Sequence, residues 1–96
     1  MSPAPIEEHR ETLDAIDAEI LELLQRRVGI VLDIGRIKAG EGLAIHDRQR
    51  EERILERLQG LATGPLDRAA VERIFARILE ESRRLEHSAT RAPGSG

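Results

Sequence analysis

Arg27 and Lys38 stand eleven positions apart. On a helix turning about 100° per residue they lie about 20° from eclipsed, with Ile34 between them on the same side and Val31 flanking the line. A guanidinium and an ammonium thus share a strip with aliphatic side chains. Ser82 and Glu86 are i, i+4 neighbours that prolong a second strip, Phe75, Ile78 and Leu79. Asp47, Arg50 and Glu51 fall within about one helical turn. Taken singly, each has a plain explanation, since arginines at the edge of an apolar stripe snorkel to water and i, i+4 polar pairs are usually solvated. Taken together they say more, because several cations in apolar surroundings are costly unless something anionic joins them. In a chain of formal net charge −3, a locally cationic pocket points to a small di- or polyanion. Guanidinium forks would grip its carboxylates, and apolar walls would hold a ring or hydrocarbon between them.

Other chemistries find little to use. The chain has no cysteine, so neither a disulfide nor a thiolate metal site can form. His9, His46 and His87 are far apart and show no metal-ligand spacing. There is no Ser/His/Asp order, no HExxH motif and no glycine-rich phosphate loop. Neither metal nor cofactor is expected. His46 is the only histidine near the residues above, and a loop histidine reads first as solvent-facing. Phe75 is the single aromatic residue, which disfavours base stacking on nucleic acid. The acidic balance gives no pull towards nucleic acid or an anionic membrane surface. No 18-residue apolar run is present, and MSPAPIEEH lacks the basic and apolar parts of a signal peptide. The expectation is a soluble, cytoplasmic protein. Of fifteen basic residues only Lys38 is lysine. That bias suits either a need for a compact ammonium at that point or an arginine-rich coding habit.

The elements that must position these residues are helices. Apolar residues recur at Leu13, Ile16, Ile20, Leu23, Leu24, Val28, Val31, Ile34 and Ile37, three or four apart, which predicts one helix from about Glu7 to Ala39. At 1.5 Å per residue it is roughly 50 Å long, whereas a compact globule of this size is about 30–35 Å across. Its apolar stripe needs another surface, and a second copy of the chain is the simplest source. Residues 40–47 form a loop, with Leu43, Ala44 and Ile45 expected to tuck inward. Asp47 caps a second helix from Arg48 to about Gly60, carrying Ile54, Leu55, Leu58 and Leu61 on one face. Asp67 caps a third, with Val71, Ile74, Phe75, Ile78, Leu79 and Leu85 as its stripe. Residues 1–6 and 88–96 read as flexible ends around one helical domain, 7–87. With no strand pattern anywhere, the fold class is all-α, three helices with a very long first one.

The order of HRETLDAID, LLQRR, IGRIK, IHDRQRE and IFARILEESRRLE resembles the all-helical, AroQ-class chorismate mutase family. The likeness covers residues 7–87. It implies an intertwined homodimer acting on chorismate, a small dicarboxylate, without metal or cofactor. Carried over by motif, Arg10 resembles the arginine that crosses to the partner's active site, and Arg27 the second carboxylate-binding arginine. Lys38 resembles the lysine that bonds a carboxylate and the ether oxygen of the breaking bond. Asp47 and Glu51 match positions around the ring hydroxyl, the former through its backbone, and Arg50 the supporting arginine. Ser82 matches a carboxylate-contacting serine. Glu86 takes the place of the second donor to the ether oxygen, where glutamine is common. Ile34, Ile54 and Leu55 would wall the ring. Lys38, Glu86 and Arg27 would carry the catalysis. Arg48 stands where the family often has proline. Near relatives within the same likeness are a 4-amino-4-deoxychorismate mutase and an isochorismate-pyruvate lyase. The reading from a different class is a non-catalytic helical dimerisation or regulatory module.

Overall fold

The computed structural model describes residues 4–44 and 46–91, the last two of these by backbone only. It contains three helices, α1 (Ala4–Gly40), α2 (Arg48–Gly60) and α3 (Arg68–Arg91), and among the described residues no strand. The all-α reading holds.

Helix α1 begins three residues earlier than expected and takes in Pro5. A proline in the first turn costs a helix little, because the N–H it lacks would have had no intrahelical acceptor there. At the other end of the chain, α3 continues through Ser88 to Arg91, four residues into the segment expected to be a loose tail. Residues 1–3, Ile45 and residues 92–96, on which parts of the end and loop expectations fall, lie outside the described residues.

The chain divides into two units, residues 1–30 and 31–96. In the first, which is the N-terminal part of α1, no described residue is buried. Of the expected stripe, Leu13, Ile16, Ile20 and Leu23 are exposed, while Leu24 and Val28 are half-buried.

The second unit holds the last turns of α1 together with α2 and α3. The end of α1 closes by a Schellman arrangement: Leu43 N–H donates to the Lys38 carbonyl at 2.8 Å and Gly42 N–H to that of Ala39 at 3.2 Å. Gly42 makes this possible with φ +73°, a left-handed conformation that side chains resist. Lys38 thereby sits in the final turn of α1, where a cation meets the negative end of the helix dipole. The same turn overturns one expectation. Leu43 is 55% exposed and Ala44 is exposed too; the closure anchors the backbone here and leaves the side chains uncovered.

Asp47 caps α2, its carboxylate accepting from Arg50 N–H at 3.0 Å. Asp67 caps α3 through Ala70 N–H at 2.8 Å. Both caps are where the sequence placed them. The buried apolar side chains are Ile54 of α2 and Val71 and Leu79 of α3. Gln59 Nε2 donates to Glu72 Oε2 at 2.9 Å, tying α2 to α3. Leu61, expected on the α2 face, is instead its C-cap and is exposed. Ile74 and Leu85 of the α3 stripe are likewise exposed.

Candidate functional site

Two polar residues of α3 are buried, Ser82 at 5% exposed and Glu86 at 7%. They are one turn apart on the apolar strip, as their spacing predicted. The Ser82 hydroxyl donates to the Ile78 carbonyl one turn back, at 2.8 Å, a common way for a helical serine to satisfy itself. Glu86 owes its place to a residue on α1. Gly35 is the buried residue of that helix, and a methyl group on it would fall 2.7 Å from Glu86 Oε2 and 2.9 Å from its Cγ. At that distance a larger residue at position 35 would force the Glu86 carboxyl to shift.

Burial pushes the Glu86 carboxyl above its ordinary pKa. The Lys38 ammonium opposes that shift, the Glu51 carboxylate reinforces it and His46 opposes it weakly. These four groups therefore form one charge cluster at the meeting of α1, α2 and α3. Glu51 accepts from Arg83 Nη1 at 2.5 Å, and the same Oε1 lies 3.5 Å from His46 Nε2. Asp47 is held below the usual carboxylate range, chiefly by the Arg50 N–H, with smaller help from Arg53 and Lys38. A cavity of about 490 Å³ opens beside the cluster, lined by His46, Glu80, Arg83, Arg84, Glu86 and His87. Of the expected site residues only Glu86 lines it.

The second unit thus gathers Lys38, Glu51, Ser82 and Glu86, with Asp47 at the cap. Ile54 is buried; Leu55 is half-buried. Ile34, expected as a wall of the site, is 44% exposed. The Arg50 side chain is exposed, and its backbone N–H is what engages Asp47. Arg10 and Arg27 belong to the first unit: Arg10 is exposed and pairs with Glu7 at 3.0 Å, while Arg27 is half-buried.

Sequence reasoning missed Gly35 and Arg83. A glycine inside a helix costs about 1 kcal/mol relative to alanine, so Gly35 was a usable sign, one shared with Gly29, which meets nothing within 4 Å. Arg83 pairs with a residue 32 positions away, for which the sequence carries no local signal. Among the described residues no cluster suited to a metal ion occurs, and no helix is long and apolar enough to cross a membrane.

A family model described as chorismate mutase type II matches residues 9–87. The chain belongs to that family. Within it, the chain is 40% identical over 82 residues to a bifunctional chorismate mutase/prephenate dehydratase of Neisseria gonorrhoeae. It is 32% identical over 82 residues to the corresponding protein of Pseudomonas aeruginosa. These matches cover 85% and 80% of the chain but 22% of each relative, so the chain spans about a fifth of the length of the curated relatives it matches. Solved chorismate mutases match nearly end to end. The Thermus thermophilus enzyme superposes with a TM-score of 0.84 at 34% identity, covering 86% of this chain and 94% of that one. The Helicobacter pylori chorismate mutase in complex with prephenate gives 0.84 at 28% identity, covering 93% and 97%.

Proposed function

We propose that this chain converts chorismate to prephenate. The reaction is an internal rearrangement in which the ether C–O bond breaks as a C–C bond forms, with no atom gained or lost. It calls for no nucleophile, metal or cofactor. What it requires is a flexible dianion held in its compact diaxial form and stabilisation of the negative charge that grows on the ether oxygen.

The observation that carries the reading is Glu86, a buried carboxyl kept above its ordinary pKa in the same cluster as Lys38. In its protonated form that carboxyl, together with the Lys38 ammonium, offers two donors suited to one oxygen gaining charge. Lys38 also binds a carboxylate, and its fixed place in the last turn of α1 supports the role. Glu51 receives the ring hydroxyl, with Asp47 contributing backbone and Arg50 supporting them. Ser82 meets a carboxylate by turning its hydroxyl from Ile78. Ile54 and Ile34 flank the ring. The roles of Arg10 and Arg27, gripping carboxylates, rest on their motif positions alone.

The working form is a homodimer. The exposed row Leu13, Ile16, Ile20 and Leu23 is an apolar surface that a second copy would cover, and Arg10 would then serve the partner's site. A cysteine-free sequence suits the reducing cytoplasm.

The test is to assay the purified chain on chorismate, 4-amino-4-deoxychorismate and isochorismate in parallel. Prephenate from chorismate is expected, and Lys38→Ala should lose about 10²–10³-fold in kcat without a change in melting temperature. Absence of turnover, together with no heat on titration with a dicarboxylate transition-state analogue, would leave a non-catalytic dimerisation module.

A further inference from the structure

We infer that Arg83 sets which substituent the substrate may carry at ring C4, by masking the charge of Glu51 so that it reads a hydroxyl and rejects an ammonium. The inference rests on the mutase reading above and names a specificity residue that no motif supplied.

The geometry is the pair of contacts on one oxygen. Arg83 Nη1 donates to Glu51 Oε1 at 2.5 Å, and His46 Nε2 lies 3.5 Å from the same atom. The Glu51 side chain is 21% exposed and that of Arg83 37%, so the pairing is only partly screened by water. A carboxylate so engaged keeps lone pairs for a hydroxyl donor but has little net charge left for a cation. Its surroundings add to this. Burial raises the pKa of Glu86, the other acid facing Glu51, while the Lys38 ammonium opposes that shift. A hydroxyl needs an acceptor and no more. An ammonium needs surplus negative charge and would instead meet the Arg83 guanidinium, a repulsive element of the kind that specificity commonly requires.

Arg83 is therefore a positioning residue, acting through Glu51, and the informative readout is a ratio. The kcat/KM for chorismate divided by that for 4-amino-4-deoxychorismate should exceed one in the wild type. In Arg83→Gln it should fall by about tenfold or more; Arg83→Lys should keep it near the wild-type value. The double variant Arg83→Gln/Glu51→Gln leaves no unpaired carboxylate, which guards against misfolding, and should lose the gain for the amino substrate. A ratio unmoved by Arg83→Gln, moved equally by Arg83→Lys, or still tilted to the amino substrate in the double variant would overturn the inference while leaving the mutase reading intact. So would a wild-type protein that prefers the amino substrate. A wild type inactive on both substrates would overturn the mutase reading itself.

Discussion

Gly35 on α1 is the seat of Glu86 on α3. The space its absent Cβ would need is already held by the Glu86 side chain, with Oε2 2.7 Å from that point and Cδ 3.2 Å. Gly35→Ala must therefore move the carboxyl. Displacing a reacting group by about 1 Å can cost about 10²-fold in rate, and a fall of that order in kcat is expected. Alanine is the better helix former by about 1 kcal/mol, so helix content should survive. Loss of activity with intact circular dichroism identifies the seat; a fully active Gly35→Ala enzyme would mean that Glu86 works from somewhere else.

The pH dependence follows from burial. A carboxyl whose folded pKa is raised favours the folded state most while it stays protonated. Its contribution is whole below the unfolded value near 4.5 and is lost as pH climbs through the raised folded value. The donor role has the same sign, since only the protonated form can give a hydrogen bond to an ether oxygen. Turnover should decline as pH rises through that titration, with Lys38, Glu51 and His46 shaping its midpoint. Glu86→Gln keeps a donor at every pH and should flatten the profile. A pH–rate curve identical in the variant would remove Glu86 from the mechanism.

A site completed by the partner can be tested by mixing. Arg10→Ala and Lys38→Ala should each be nearly inactive alone. The exposed Arg10–Glu7 pair is worth about 0–1 kcal/mol at most, so Arg10→Ala should melt almost normally. Exchange of protomers between the two inactive variants restores one intact site per mixed dimer, and activity should reappear in proportion to mixed dimer formed. If it does not reappear although protomers exchange, each chain uses its own Arg10.

Gly42 holds the end of α1 and with it the last turn that carries Lys38. A Cβ there would touch nothing within 4 Å, so Gly42→Ala isolates the cost of the left-handed backbone, about 1–2 kcal/mol. For a domain of this size that lowers the melting temperature by roughly 4–16 °C. Calorimetry is the check, and an unchanged melting temperature would mean that the turn re-forms another way.

What could be read from the chain was whatever local chemistry encodes. Apolar spacing gave the three helices. Asp47 and Asp67 announced the caps, and i, i+4 spacing put Ser82 and Glu86 on one apolar strip, although such pairs are usually solvated and their burial comes from packing. The misses share a different cause. Pro5 and Ser88–Arg91 looked like loose ends by composition, yet neither residue set forbids a helix at its position. Leu43 looked inward because it is apolar, while the turn around Gly42 is governed by backbone bonds. The contacts Gly35–Glu86 and Arg83–Glu51 join different helices, and only packing in three dimensions brings them together.

The bare row of Leu13, Ile16, Ile20 and Leu23 also has a thermodynamic corollary. When a fold draws part of its cohesion from a neighbour, mass action enters its stability, and its transition on heating shifts upward as the sample is concentrated. If a second copy covers that row, specific activity would fade on extreme dilution, before any residue of the Lys38–Glu86 cluster has been disturbed.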